Sequence, residues 1–253
     1  MSVILTRTAG LSDRETHYCP GCTHGIIHRL VAEVLEELGL LDDAIGCASV
    51  GCSILSYNYF TSDMVECTHG RAPAVATGIK RVHPDKTVFT YQGDGDLASI
   101  GTAEIVHAAH RGEKITVIFV NNGVYGMTGG QMAPTTLPGQ KVTTAPLGRD
   151  IAHSGPPLRI SEMFAQIPGA AFIERASAHN PKAVRRAKRA VRKAFEYQMA
   201  GTGFTMVEML STCPTGWGLS PVEALSWLED NMIPYYPLGV FKSPEDEPCT
   251  VKK

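Results

Sequence analysis

The stretch Thr87-Val-Phe-Thr-Tyr-Gln-Gly-Asp-Gly-Asp96 decides the fold, together with Ile115-Thr-Val-Ile-Phe-Val-Asn-Asn122 further along the chain. Each begins as a short run of apolar and β-branched residues, which is typical of a buried strand, and each ends in polar residues. Leu97 to Arg111, which lie between them, are predicted to form a helix that stops at Gly112. A strand, a helix and a strand in roughly 30 residues indicate a right-handed βαβ unit in a parallel sheet.

The polar ends of both strands are therefore expected at one edge of the sheet, where ligands bind in such folds. Asp94 and Asn122 can direct oxygen atoms at a single hard cation. Gly93 and Gly95 allow backbone N–H groups to approach a phosphate. This pattern predicts a metal-bridged diphosphate site. The alternative is two ordinary βα turns with Asp94 as a helix N-cap, which leaves the adjacent glycines and the paired asparagines without a reason.

The composition is that of an ordinary globular protein. The 253 residues are 43% hydrophobic and 19% charged, and the formal net charge of −2 gives no general attraction to nucleic acid. The first residues lack an apolar signal core, and no apolar stretch approaches the ~20 residues of a membrane helix. We therefore expect a soluble cytoplasmic protein without membrane or nucleic-acid partners, in which residues 1–253 form a single α/β domain. Its sheet should be mostly parallel, with helices on both faces.

Further elements follow from apolar spacing and from capping residues. Residues 123–157 form a long segment without a clear period, which favours a ligand-binding loop. The helix that follows Asn180 carries a basic face from Lys182 to Lys193, which is either solvated or docks an acidic partner such as ferredoxin or a neighbouring subunit. The remaining predictions are helices from about His24 to Leu38, from Ala72 to Arg81 and from Pro181 toward Gly201, and a strand over Thr205–Leu210.

The GDG and NN pair resembles the diphosphate-binding motif of thiamine diphosphate enzymes and so implies their fold. The resemblance implies that Asp94, Asn122 and the backbone carbonyl of Val124 hold Mg²⁺, which in turn holds the diphosphate of the cofactor. Four more motifs strengthen it and make the chain similar, from about residue 17 to 240, to the β subunit of 2-oxoacid:ferredoxin oxidoreductases. These motifs are Cys19-Pro-Gly-Cys22, His69-Gly-Arg-Ala72, Tyr125-Gly-Met-Thr-Gly-Gly-Gln131 and Cys213-Pro-Thr215.

Seven cysteines without an export signal argue against a disulfide framework. The resemblance implies one [4Fe-4S] cluster, for which four thiolates are the usual ligands. Cys52 is favoured over Cys47 as the third ligand because a serine follows it and because it lies at the distance from the CxxC pair that the family shows. Zinc or a redox dithiol would be the alternatives for an isolated CxxC pair. Cys67 and Cys249 receive no role. The cluster ligands implied are Cys19, Cys22, Cys52 and Cys213.

The resemblance also implies which residues line the cofactor. His69 is the catalytic candidate, with a hydrogen-bonded structural histidine as the alternative. Three histidines near the CxxC pair, His17, His24 and His28, belong to no constellation and are predicted to be structural, and the same holds for His107 and His110. The cofactor-lining residues implied are Val50, Gly51, Cys52, Ser53, His69, Gly93, Gly95, Asp96, Gly126 and Met127.

The activity that the resemblance implies is oxidative decarboxylation of a 2-oxoacid, with coenzyme A as acyl acceptor and ferredoxin as electron acceptor. The stretch Cys213–Pro221 and the end Pro237–Lys242 resemble the 2-oxoisovalerate branch. Alternatives are 2-oxoglutarate or pyruvate as substrate, a non-oxidative thiamine decarboxylase subunit, and a zinc-binding assembly module. The chain carries only the diphosphate motif, so an α subunit is expected to supply the glutamate that activates the pyrimidine. We also expect γ and ferredoxin-like δ subunits, and no activity from this chain alone.

Overall fold

The computed structural model describes residues 6–246. The strands are β1 (Ala44–Ser49), β2 (Asp63–Cys67), β3 (Thr87–Gly93), β4 (Thr116–Asn121), β5 (Val124–Tyr125), β6 (Gln131–Met132), β7 (Ala170–Ser177), β8 (Phe204–Leu210) and β9 (Gly239–Lys242). In this part of the chain seven of them form one sheet in the order β2-β1-β3-β4-β8-β7-β9. Every neighbouring pair is parallel except β7 with β9, and β5 and β6 form a separate hairpin.

Helices cover both faces of the sheet. They are α1 (His24–Glu37), α2 (Ala72–Val82), α3 (Thr102–His110), α4 (Ile151–Ser154), α5 (Ile160–Ala165), α6 (Pro181–Met199), α7 (Pro214–Trp217), α8 (Pro221–Trp227) and α9 (Ile233–Tyr235). The buried stripes of α1 and α6 pack on Phe89 and Tyr91 of β3. On the opposite face α2, α3 and α5 pack around Val88 and Phe119. Because strand side chains alternate, β3 contributes to both cores. The predicted α/β fold class is confirmed.

Local chemistry explains why α6 begins where it does. The side chain of Asn180 accepts a hydrogen bond from the backbone N–H of Ala183 (2.8 Å), and Pro181 occupies the first turn, where its missing N–H costs nothing.

The predictions of α1, α2, α6 and β8 are confirmed to within about two residues, which is the ordinary uncertainty of helix ends.

The single helix predicted from Leu97 to Arg111 was wrong. Residues Asp96–Ile100 form a π-helical turn, and α3 starts only at Thr102. Gly101, between the two, is closely packed, because a methyl group there would lie 2.7 Å from the Asp96 carbonyl oxygen and 2.9 Å from the Cα atom of Gly70. The sequence pattern did not contain this contact.

The basic face of α6 is partly neutralised within the chain. Lys188 contacts Glu33 and Glu37 of α1 at 2.7 Å each, and Arg192 also contacts Glu37. Lys182 and the arginines at 185, 186 and 189 remain exposed. In residues 6–246 no helix is long and apolar enough to cross a membrane.

Candidate active site at the carboxyl edge of the sheet

Two polar turns meet at the carboxyl ends of β3 and β4. Asp94 follows β3, Asn122 follows β4, and the two strands are parallel neighbours. The backbone N–H of Gly123 donates to Asp94 Oδ2 at 2.8 Å, so the turns are in direct contact. Asn122 Oδ1 accepts from the N–H of Val124 at 3.1 Å. The structure thus brings together the three residues from which the sequence predicted a metal site.

Asp94 is a buried carboxylate, 3% exposed. Besides the contact from Gly123, it accepts hydrogen bonds from the Gly95 N–H (2.9 Å) and the Thr135 hydroxyl (2.6 Å). Burial is the largest influence on it and raises its pKa to about 6, against the hydrogen bonds that lower it. In the described part of the chain no lysine, arginine or histidine nitrogen lies within 4.0 Å of it. A buried carboxylate that lacks a counter-charge fits a divalent cation.

The second asparagine faces the site while the first anchors it. Asn121 Nδ2 donates to Glu208 Oε1 at 2.8 Å, and Glu208 Oε2 accepts from Arg175 Nε at 2.8 Å. The side chains of Arg175 and Glu208 are both fully buried, and Arg175 also contacts Glu162. The paired asparagines therefore have two functions, since one reaches the cavity and the other fixes the turn to a buried ion pair.

A cavity of about 170 Å³ opens beside these turns. A larger cavity of about 350 Å³ lies elsewhere, at the start of α6, and holds none of the motif residues. Gly95 needs its small size, because a methyl group there would lie 2.3 Å from the Tyr125 ring. Every cofactor-lining position expected from the sequence is among the residues of the smaller cavity. They are His24, Val50, Gly51, Cys52, Ser53, His69, Gly93, Asp94, Gly95, Asp96, Asn122, Val124, Tyr125, Gly126, Met127 and Thr128.

His69 is held by Asp96 at the wall of this cavity. Its Nδ1 lies 2.6 Å from Asp96 Oδ1, which also accepts from the Ser49 hydroxyl (2.7 Å) and the Gly70 N–H (2.5 Å). Gln92 Nε2 donates to the other carboxylate oxygen at 2.5 Å. Asp96 is thus satisfied by four donors, and the imidazole is fixed in one orientation.

Four cysteines lie close to the turns that carry Asp94 and Asn122. A methyl group at Gly126 would lie 3.2 Å from Cys213 Sγ and 3.5 Å from Cys52 Sγ. Cys22 and Cys19 form a tight turn before α1, with the Cys22 N–H donating to the Cys19 carbonyl at 3.0 Å. Hydrogen bonds from residue 212 to residues 21 and 23 tie this turn to the segment that carries Cys213. Burial raises the pKa of Cys22, Cys52 and Cys213 to about 12.

Cys47 lies apart from this group. It is fully buried in β1 and packs in the core against Cys67, with which it shares a hydrogen bond that raises the pKa of Cys47. Cys249 lies outside the described residues. Across residues 6–246 no three Cys, His, Asp or Glu side chains are arranged to hold one metal ion.

The structure places the three histidines near the CxxC pair among tyrosine side chains, and the prediction that they have only a structural role stays a prediction. His24 lines the cavity, its Nδ1 lies 2.8 Å from the Tyr91 hydroxyl, and burial lowers its pKa to about 3. His28 lies 2.8 Å from the Tyr18 hydroxyl. His17 contacts Tyr59 in the same aromatic cluster. The available signal was the four-residue spacing of His24 and His28, which places both on the buried stripe of α1.

Trp217 joins the cysteine segment to the asparagine turn. It lies at the end of α7, and its indole Nε1 donates to the backbone carbonyl of Asn122 at 3.0 Å. Its ring packs against Trp227 of α8 with centroids 4.4 Å apart.

A family profile described as "Thiamine pyrophosphate enzyme, C-terminal TPP binding domain" matches residues 44–209. The chain is 38% identical over 229 residues to the 2-oxoglutarate synthase subunit KorB of Methanocaldococcus jannaschii, covering 87% of this chain and 80% of that one. This chain belongs to the thiamine diphosphate-binding subunits of the 2-oxoacid:ferredoxin oxidoreductases. The family expected from the motifs is thereby confirmed.

Two further relatives define this chain's place among the oxidoreductase subunits. Ketoisovalerate oxidoreductase subunit VorA of Methanothermobacter thermautotrophicus is 48% identical over 247 residues, which are 97% of this chain and 52% of VorA. The chain thus spans about half the length of VorA. The 2-oxoglutarate:ferredoxin oxidoreductase of Magnetococcus marinus, solved with 2-oxoglutarate, coenzyme A and succinyl-CoA bound, superposes with a TM-score of 0.78 at 27% identity. The superposition covers 92% of this chain and 83% of that one.

Proposed function

We propose that this chain binds Mg²⁺–thiamine diphosphate and one [4Fe-4S] cluster, and that it serves the coenzyme A-dependent oxidative decarboxylation of 2-oxoisovalerate with ferredoxin as electron acceptor. One observation carries the proposal. The buried carboxylate of Asp94 lies beside Asn122 and has no counter-cation among residues 6–246, and a methyl group at Gly126 would lie within 3.7 Å of the Asn122 amide and of the thiols of Cys52 and Cys213. A metal-diphosphate site and a thiolate-bound cluster thus fit the same few residues.

In this proposal each element of the site has a separate task. Asp94, the Asn122 side chain and the Val124 carbonyl hold Mg²⁺, which has a preference for oxygen ligands. Gly93 and Gly95 allow the backbone N–H groups to approach the diphosphate. When bound, thiamine diphosphate supplies the electron sink for decarboxylation, and the cluster accepts electrons one at a time.

His69 is the candidate for proton transfer. Histidine is a common proton donor and acceptor in catalysis, and Asp96 holds the His69 ring in a fixed orientation at the cavity wall. His24 lines the same cavity, but burial lowers its pKa to about 3 and keeps it neutral. The two histidines therefore differ in their surroundings, because His69 is oriented by a carboxylate and His24 is fully buried beside a tyrosine hydroxyl.

The proposal includes partner subunits. Among the described residues, the cavity is lined by no glutamate, and its two carboxylates, Asp94 and Asp96, are assigned to the metal and to the orientation of His69. The glutamate that activates the cofactor is therefore assigned to an α subunit. Val50 and Met127, at the cavity, are 37% and 53% exposed, which fits a surface that a partner covers. We also propose γ and ferredoxin-like δ subunits, a cytoplasmic location, and one domain over residues 1–253.

Two measurements test this function. Anaerobically purified protein should contain four iron atoms per chain, as the proposed cluster requires. Iron near zero with zinc in its place would refute the electron-transfer assignment. The reconstituted complex should then turn over 2-oxoisovalerate faster than 2-oxoglutarate or pyruvate with coenzyme A and ferredoxin. The 38% identity to a 2-oxoglutarate synthase subunit makes 2-oxoglutarate the second candidate, and faster turnover of it would reassign the substrate.

A further inference from the structure

The two oxygens of the Asp94 carboxylate have different surroundings. Oδ2 accepts two hydrogen bonds, from the Gly123 N–H at 2.8 Å and from the Thr135 hydroxyl at 2.6 Å. Oδ1 accepts one, from the adjacent Gly95 N–H at 2.9 Å. Oδ1 therefore has fewer hydrogen bonds than Oδ2 and retains a lone pair for a cation.

Thr135 comes from a distant part of the chain and is itself fixed. It is fully buried and belongs to the loop that follows the asparagine turn. Its carbonyl accepts a hydrogen bond from the Tyr236 hydroxyl at 2.8 Å. The hydroxyl of its neighbour Thr136 donates to the Gly123 carbonyl at 2.5 Å. The loop therefore carries one hydrogen-bond donor to Asp94 Oδ2, Thr135, and contacts the other, Gly123, through Thr136. A shift of the loop would rotate the carboxylate.

Arg149 closes this loop on itself. Its guanidinium donates to the carbonyls of residues 133, 134 and 136 on one side (2.9–3.1 Å) and to those of residues 154, 155 and 156 on the other (3.1–3.4 Å). The residue is 6% exposed, and no carboxylate in residues 6–246 lies within 4.0 Å of its guanidinium. Burying an arginine that has no carboxylate partner costs desolvation free energy. The hydrogen bonds to carbonyl groups on both sides of the loop offset this cost.

We infer that Thr135, held by Arg149, is a positioning residue that turns Asp94 Oδ1 toward the divalent cation. The inference rests on the proposed function, because it needs a cation at Asp94. Residues that orient a metal ligand through a hydrogen bond typically contribute 10- to 100-fold to metal affinity. Thr135 therefore controls the affinity for Mg²⁺ without touching the ion or the cofactor.

The test compares three threonine variants in the full chain, in the assembly in which it purifies. Thr135→Val removes the hydroxyl at constant shape, and Thr135→Ser keeps it. Thr143→Val makes the same chemical change in the same loop, at an exposed side chain whose hydroxyl bonds to no atom of residues 6–246. After EDTA treatment, Mg²⁺ is titrated at saturating thiamine diphosphate and binding is followed by calorimetry. The unfolding temperature of the metal-free protein is recorded for each variant.

We expect Thr135→Val to weaken Mg²⁺ binding by about 10- to 100-fold, and Thr135→Ser and Thr143→Val to stay within about threefold of wild type. Arg149→Lys keeps the charge but cannot reach both sides of the loop, so its Mg²⁺ affinity should fall as well. Wild-type affinity in Thr135→Val, or equal weakening in Thr135→Ser, would overturn the inference while leaving the proposed function intact. A wild-type chain that shows no Mg²⁺-dependent cofactor binding would overturn both.

Discussion

At the scale of single residues, the buried negative charge of Asp94 lowers the stability of the metal-free fold, and a bound cation would compensate it. The folded protein holds this carboxyl at a pKa of about 6, above its ordinary value of 3.8, because burial disfavours the charged form. A raised acid pKa means that the metal-free fold binds more protons than the unfolded chain, so its stability falls as pH rises from about 4 to 6. Two pKa units correspond to about 3 kcal/mol at pH 7.

Replacement of Asp94 by Asn therefore has opposite effects on stability and on binding. We expect Asp94→Asn to abolish Mg²⁺-dependent binding of thiamine diphosphate. At pH 7 the metal-free variant should be more stable than metal-free wild type, by up to about 3 kcal/mol. Calorimetry and urea unfolding measure the two effects. Asp42→Asn at an exposed position is the control and should change neither. Cofactor binding that persists in Asp94→Asn would show that the metal lies elsewhere.

His28 makes the opposite contribution to pH dependence. Burial lowers its pKa well below 6.5, and its Nδ1 has no partner in the described structure. Its stabilising contribution is thus present above pH 6.5 and is lost as pH falls, by about 1.4 kcal/mol per pH unit. We predict that His28→Phe flattens the loss of unfolding free energy between pH 6.5 and 5, whereas His83→Gln at an exposed site does not. An unchanged slope in His28→Phe would contradict this explanation.

At the scale of elements, the sequence predicted those segments whose signal is local. The apolar runs of β3 and β4 and the capped start of α6 were identified correctly. β2 was not, because it is an edge strand whose side chains are mostly exposed or half-exposed, so it shows no buried pattern. The π-helical turn after Asp96 was not predicted either, and the close approach of Gly101 to Gly70 beside it joins segments that are distant in the sequence. Contacts between distant segments of this kind leave no periodic trace in a sequence.

This contact predicts a sharp difference between two glycines. In Gly101→Ala the new methyl group would meet the Asp96 carbonyl oxygen at 2.7 Å and the Gly70 backbone at 2.8–2.9 Å, which should cost about 1–3 kcal/mol and displace the neighbouring His69. In Gly78→Ala, within α2, the methyl group would meet nothing within 4 Å, and stability should rise by about 0.4–1 kcal/mol. Urea unfolding of both variants measures the difference. Equal effects at the two positions would show that close packing does not restrict residue 101.

At the scale of the whole molecule, a buried ion pair joins two neighbouring strands of the sheet and also anchors the asparagine turn. The motifs predicted the residues that face the cavity, but not Glu208 and Arg175, which lie on β8 and β7 and meet only in the folded sheet. For the same reason Thr135 was not predicted, although the long loop was expected to bind a ligand. A motif shows which residues face a ligand, whereas the groups that orient them depend on the topology of the whole chain.

The ion pair yields a prediction for global stability. Arg175→Met leaves Glu208 buried without its cation and should cost about 3–5 kcal/mol. The double variant Arg175→Met/Glu208→Gln removes the uncompensated charge and should recover part of that loss. Urea denaturation of the wild type and these two variants, with Glu208→Gln alone to complete the cycle, gives the coupling. A double variant that is less stable than the sum of the single variants would contradict the charge-based explanation.

The contact between Trp217 and the Asn122 carbonyl gives the chain a built-in optical reporter. The sequence contains two tryptophans, and they lie against one another. Tryptophan fluorescence therefore comes from one place in the fold. Trp217 is hydrogen-bonded to the turn that would hold the metal and lies four residues after Cys213. Filling of either centre should change the emission, so the order in which the two centres are loaded can be followed in real time without an added dye.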